Sequence, residues 1–184
     1  MIYNRGSPED YDNWEKNYGA KGWSFDEVLP FFRKAENNTD ESLLSKYPLY
    51  HARNGPITVT SLINPSIPII ASYRGMIEKL GIPGGDINGP VTLSATIPQR
   101  TIKNGIRVSA FTGYLEPNLN RTNLHVWTNS FAEKILFDDN KRAIAVRVKR
   151  NGTDFTIDVR ARKEIIVSAG VINSPQLLML SGDY

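Results

Sequence analysis

The chain has 184 residues, enough to bury a sizeable core in one domain or two small ones. Hydrophobic residues at 40% and charged residues at 22% give an ordinary globular composition, no apolar run approaches the ~18–20 residues of a membrane span, and a net charge of +3 is too small to argue for nucleic acid. The absence of cysteine excludes disulfides, thiolate catalysis and cysteine-ligated metals, and with only His51 and His125 no metal site is expected.

Residues 1–56 read as mostly helical. Met1 is followed at once by polar and charged residues, so no signal peptide is expected. Ser7-Pro8-Glu9-Asp10 is a helix start: the serine caps, the proline takes the first position, and the acids suit the helix dipole. Ser24-Phe25-Asp26-Glu27 is a capping box, and it opens a helix that Pro30 should bend. The polar stretch 37–56 reads as a long loop closed by Asn54-Gly55-Pro56.

Residues 57–118 open with the strand-like ITVTSL. A helix is expected from Ser66 through Leu80, stopped by Gly81. The Gly- and Pro-dense 81–90 must be irregular, a short strand is expected around Leu93–Ile97, and a helix runs from Ser109 to Leu115.

Residues 119–184 read as β structure followed by a helix start. LHVWT and AEKILF look like strands, with Asp138-Asp139-Asn140 as a turn. RAIAVRVKR and TDFTIDVRA alternate apolar and charged residues, the period of a half-buried strand, and Asn151-Gly152 between them signals a hairpin. The pattern predicts a three-stranded meander across about 131–160. Arg147, Lys149, Arg160 and Arg162 on its outward face form either a basic patch or, more simply, a solvated sheet face. Glu164–Val167 reads as a strand buried on both faces, running into the small residues Ser168-Ala169-Gly170. Asn173 or Ser174 should cap a helix with Pro175 in its first turn, and Leu177, Leu178 and Leu180 should face a core. A strand, a small-residue turn and a helix are how α/β folds place ligands at strand ends.

Asn37, Asn120 and Asn151 each head an Asn-x-Thr triplet, the acceptor pattern for an N-linked glycan in a secreted protein. In an asparagine-rich chain, chance is the simpler source of all of them.

AGVINSPQLLMLSG resembles the second signature of the glucose–methanol–choline (GMC) family of FAD-dependent oxidoreductases. Gly170, Ser174, Pro175, Leu177, Leu178, Ser181 and Gly182 match it, whereas Val171 and Asp183 depart from it. MIYNRGSPEDYDNWE is similar to the family segment that follows its Asn-x-Met flavin contact, and GWSFDEVLPFFRKAE resembles the helix after it. DINGP and RTIKNGIRVSAFTGYLEPNLNRTNLHVWT look like the arthropod, glucose-dehydrogenase-like branch.

The resemblance implies a mixed α/β fold: a partial FAD-binding domain with part of a substrate domain. Residues 1–56 would be a connecting segment at the FAD interface, 57–118 part of the substrate domain, and 119–184 part of the FAD-binding domain. It implies FAD as cofactor, an alcohol or sugar as small-molecule substrate, and hydride transfer to the flavin while a histidine base takes the hydroxyl proton. No nucleic acid partner is expected. The family's Gly-x-Gly-x-x-Gly turn, which holds the flavin pyrophosphate, is absent from the sequence. The family's catalytic histidine is expected beyond Tyr184, so the chain reads as an internal portion of a longer enzyme, with a non-catalytic, degenerate domain as the alternative. Localisation is left open, an extracellular site included.

Carried over one position at a time, the resemblance puts Met1 beside the isoalloxazine and Ala132 at a position whose backbone meets the adenine. Ser168, Ala169 and Gly170 fall on the turn passing close to the adenosine. Neither His51 nor His125 matches the catalytic histidine. His51 reads as structural, and His125 as outward-facing.

Overall fold

In the computed structural model, which describes residues 1–61, 68–91 and 94–182, the chain forms two units, Met1–Arg121 and Thr122–Tyr184.

The first unit starts with α1 (Pro8–Tyr18), held at its start by a reciprocal pair. The Ser7 hydroxyl accepts from the Asp10 N–H at 3.3 Å, and the Asp10 carboxylate accepts from the Ser7 N–H at 3.1 Å. Gly19, left-handed at φ 69°, closes the helix. The second helix, α2 (Phe25–Ala35), begins where Glu27 accepts from the Ser24 N–H at 3.2 Å and from its hydroxyl at 2.6 Å. The two helices pack through aromatic rings: Tyr11 of α1 lies 5.7 Å from Phe32 and 6.1 Å from Phe25 of α2 by ring centroids.

The expected 37–56 loop is partly ordered structure. β1 (Glu36–Asn38) pairs in parallel with β2 (Ile57–Val59), and between them lies the short α3 (Glu41–Lys46), capped by Asp40. The sequence reading missed both because β1 is three polar residues whose burial comes from tertiary partners, not from a period-2 pattern. α4 (Pro68–Lys79) is the expected helix, stopped by Gly81 at φ 70°; Ser66 lies outside the described residues. β3 (Ile102–Lys103) and β4 (Ile106–Arg107) form a tight hairpin over Asn104-Gly105, both at positive φ, a second Asn-Gly signal that the sequence reading passed over.

The described residues 94–97 form no strand: Ala95 makes one isolated bridge to Gly84, and Leu93 lies outside the described residues. The helix expected from Ser109 is a wider π turn over Phe111–Leu115, followed by a 3₁₀ turn over Glu116–Asn118 that Pro117 tightens. Ser109 and Thr112 cap this segment reciprocally, the Ser109 N–H donating to Thr112 Oγ1 at 2.8 Å.

The second unit is a meander in the order β5 (Ser130–Phe137), β6 (Ala143–Arg150), β7 (Thr156–Arg160), all antiparallel, as the alternation predicts. Asp138 makes the β5–β6 turn, accepting from the N–H groups of Asn140 and Arg142. The β6–β7 connection is longer than a two-residue hairpin: pairing stops at Lys149↔Thr156, and Gly152 turns the chain at φ 80°. In β5 the register jumps from Ala132↔Val148 to Lys134↔Arg147, so Glu133 is the extra residue of a bulge. α5 (Gly170–Ser181) packs on β5.

Several expectations for this unit fail for one physical reason. Residues 124–128 and 164–167 belong to no strand or bridge, and Ile166 is 79% exposed. A strand is defined by the neighbour that takes its backbone hydrogen bonds, and no described segment supplies one here. The helix also begins earlier than expected. Ala169 is the cap, and Ser174 and Pro175 lie inside α5, where Ser174 Oγ accepts from the Ala169 N–H at 2.9 Å. Leu177 and Leu178 are half-buried, but Leu180 is exposed. On the outward face Arg147 forms a bidentate pair with Asp158 at 2.8 and 3.0 Å, exposed and of small energetic weight.

Candidate functional site

The most enclosed side chains of the first unit are polar rather than aliphatic. His51, Gln99, Glu36, Asn38 and Asp86 are fully buried, with Val59 the one aliphatic of that rank. His51 stands between two carboxylates: Nδ1 lies 3.0 Å from Glu36 Oε1, and Nε2 lies 2.5 Å from Asp86 Oδ2. Arg5 pairs with Glu36 Oε2 at 2.8 Å. The Gln99 amide donates to Asp86 Oδ1 at 2.5 Å, and the Asn38 amide donates to Glu36 Oε1 at 3.0 Å.

The Ala52 N–H donates to Glu36 Oε2 at 2.9 Å, and the Asn88 N–H to Asp86 Oδ1 at 3.1 Å. Ionised carboxylates only accept, so two of them facing both ring nitrogens place a proton on each nitrogen. Burial alone would drive the His51 imidazole down, but its bonds to Asp86 and Glu36 outweigh that and hold its pKa at about 9. Burial likewise works against the Glu36 carboxylate, and the hydrogen bond from His51 with the charge of Arg5 outweighs it, so Glu36 stays ionised below its ordinary range. Two cations and two anions thus balance. With no surface exposed, His51 can position chain segments but cannot exchange a proton with a substrate.

A cavity of about 420 Å³ opens beside this cluster, lined by Asp40, Tyr47, Tyr73, Ile77, Asp86 and Gln99 among others. It contains none of the residues singled out from the sequence as flavin contacts. No group of acidic or histidine side chains among the described residues is arranged to hold a metal.

The five positions expected from the sequence to lie beside the flavin fall in both units. Met1 belongs to the first, half-exposed but anchored: its carbonyl accepts from the Thr101 N–H at 3.1 Å, and the Tyr3 N–H donates to the Gln99 carbonyl at 2.8 Å. Ala132, Ser168, Ala169 and Gly170 belong to the second. Ala132 is exposed on β5, at the start of the bulge. Ser168, Ala169 and Gly170 are all exposed at the N-terminus of α5, where Gly170 is left-handed at φ 96° and a side chain there would meet nothing within 4 Å. The turn therefore leaves its backbone open to close approach.

The structure joins β5 and α5 through the far end of the helix. Ser181 Oγ accepts from the buried Ile135 N–H at 2.8 Å and donates to the Leu177 carbonyl at 2.6 Å. His125 is exposed, as expected, though on an unpaired segment.

Comparison with known proteins identifies this arrangement. The chain superposes on pyridoxine 4-oxidase from Mesorbium loti with a TM-score of 0.86 at 27% identity, covering 99% of this chain and 34% of that one. It superposes on an FAD-dependent oxidoreductase from Chaetomium thermophilum with a TM-score of 0.83 at 28% identity, covering 99% and 32%. A segment of this fold, shared with flavin-dependent oxidoreductases, is what the two units make up.

The family model described as GMC oxidoreductase matches residues 1–183, and the chain belongs to that family. Among curated relatives, glucose dehydrogenase [FAD, quinone] of Drosophila melanogaster is 38% identical over 184 residues, covering 99% of this chain and 28% of that protein. Mitochondrial choline dehydrogenase of Homo sapiens is 38% identical over 183 residues, covering 99% and 29%. The chain thus spans less than a third of the length of these relatives.

Proposed function

We propose that this chain is the portion of an FAD-dependent oxidoreductase that closes over the adenosine end of the cofactor, in an enzyme acting on the CH–OH groups of alcohols or sugars. The observation that carries this is the match of residues 1–183 to one family in collinear order, together with the open backbone at Ser168–Gly170. The relatives named above are FAD-dependent by name or act on glucose and choline, both of which carry CH–OH groups. Bound FAD supplies the hydride acceptor for that oxidation.

In this reading residues 119–184 belong to the FAD-binding domain. Residues 57–118 belong to the substrate domain, and residues 1–56 form the connecting segment at the FAD interface. The Ala132 backbone meets the adenine. Ser168, Ala169 and Gly170 pass close to the adenosine, where their small side chains keep the backbone accessible. Met1 flanks the isoalloxazine.

Saturation-transfer NMR on the purified chain tests the assignment. FAD and ADP should receive saturation at the adenine and ribose protons, and riboflavin, which can meet only Met1, far less. Substituting Gly170 with valine should abolish the signal while the meander's amide pattern persists. Saturation of riboflavin alone, or no adenine signal at all, defeats the reading.

A further inference from the structure

The three Asn-x-Thr triplets are not equivalent once folded. Asn37 lies in β1, with Glu36 and Asn38 on either side at 0% and 1% exposure. Its Oδ1 accepts from the Asn54 N–H at 3.3 Å, and Thr39 Oγ1 is committed to the Val59 carbonyl at 3.2 Å. Asn120-Arg121-Thr122 straddles the boundary between the two units. Asn151-Gly152-Thr153 occupies the tip of the β6–β7 turn, where all three residues are exposed.

The Thr153 N–H donates to the Arg150 carbonyl at 3.2 Å, closing a four-residue turn in which Asn151 keeps a negative φ and Gly152 takes φ 80°. Those φ signs are the ones a type II turn requires, and the turn presents the amide and the hydroxyl on one short loop. The Asn151 backbone N–H is tied to the Asn129 carbonyl at 2.9 Å, but its side chain makes no hydrogen bond among the described residues. The Thr153 hydroxyl donates only to the exposed turn, at 3.1 Å to Arg150 O.

We propose that Asn151 is an N-glycan acceptor when the chain passes through a secretory lumen, and that Asn37 is not one in the folded protein. The donor is a lipid-pyrophosphate-linked oligosaccharide. Asn151 Nδ2 bonds to the anomeric carbon, the sugar–phosphate bond breaks, the lipid pyrophosphate leaves, and the amide proton passes to base. No electrons change hands. None of Asn151, Gly152 and Thr153 is among the positions proposed to meet the flavin, so the two readings share no residue.

The full chain behind a cleavable secretory leader, expressed in insect cells, tests this. Leader removal establishes that the chain reached the lumen. Trypsin releases NGTDFTIDVR, residues 151–160. We expect this peptide to carry a glycan, and we expect peptide N-glycosidase, applied to the intact denatured chain before trypsin, to remove it. The glycan should disappear in Thr153→Ala and return in Thr153→Ser. Thr153→Ala keeps Asn151-Gly152 intact, so spontaneous deamidation of that pair is scored separately. Because the readout is a peptide mass from total cell extract, it does not depend on a variant reaching the medium. A leader-cleaved chain whose 151–160 peptide is wholly unmodified overturns the proposal. A glycan on Asn37 in leader-cleaved chains overturns the second half of the proposal.

Discussion

His51 balances Glu36 and Asp86 only while it carries both ring protons, and this fixes the sign of its pH dependence. Its folded pKa, about 9, lies above its ordinary 6.5. The stability it contributes is therefore complete below about 6.5 and lost as pH rises through about 9. Glu36 is shifted the other way, so its contribution is complete above its ordinary 4.5 and lost as pH falls below that. The first unit should be most stable between those limits. Urea midpoints followed by Trp14 and Trp23 fluorescence in a Trp127→Phe background should trace that plateau, and a midpoint flat up to about pH 10 would count against a charged His51.

His51→Gln should cost about 3–5 kcal/mol, because it removes the cation held between two buried carboxylates, and should erase the alkaline limb. The sequence shows His51 as a lone histidine in a polar stretch and supports a structural role. It does not show the cluster. Arg5, Glu36, Asp86 and Gln99 share no period or motif, and they converge only because β1, the 86–88 turn and the N-terminal segment pack together.

Elements were legible where a local rule decides them. The caps at Ser7 and Ser24, the stop at Gly81 and the alternation in β5–β7 depend on residues within a few positions of each other. Residues 124–128 and 164–167 have strand composition, but the hydrogen-bond partner that makes a strand is not a property of the segment. The start of α5 was misplaced for a related reason: Asn173-Ser174-Pro175 is a standard cap signature, yet the Ser174 hydroxyl reaches back to Ala169 from inside the helix. Ser181 is the residue that fastens α5 to β5, so Ser181→Ala should leave the buried Ile135 N–H unpaired and cost about 1–3 kcal/mol. Hydrogen exchange at the Ile135 amide should accelerate more than at Val146 across the sheet; equal protection in both proteins would remove this fastening role.

Gly55 plays a comparable part in the first unit. A methyl there would come within 2.4 Å of the Ala35 and Glu36 backbone. Gly55→Ala should cost about 1–3 kcal/mol or more by prising apart the chain around β1, measurable as a lowered urea midpoint with the second unit unaffected.

At the scale of the molecule, family membership was legible because several segments match in one order, and that conclusion does not depend on any single strand being placed correctly. It also sets an expectation for the purified chain. The sequence holds no Gly-x-Gly-x-x-Gly, so the charge-assisted hydrogen bonds that grip a pyrophosphate, roughly 1.5–3 kcal/mol each, have no such turn to come from. We expect the 184 residues alone to emerge from gel filtration colourless after incubation with FAD, and to show no turnover of sugars or alcohols with a dye acceptor. A yellow, active fraction would show that the glycine-rich turn is dispensable.

The buried charge cluster has a further consequence, for the order of events in folding. Its bonds close long loops: Arg5 to Asn88 spans 83 residues, Asn38 to Gln99 spans 61, and His51 to Asp86 spans 35. Each loop must be closed before its bond is gained, and the desolvated charges gain nothing until all their partners arrive. The meander, by contrast, is built from neighbours along the chain. Refolding should therefore be biphasic, with Trp127 reporting the fast phase and Trp14 and Trp23 the slow one. The slow phase should respond to Glu36→Gln, and the fast phase should not.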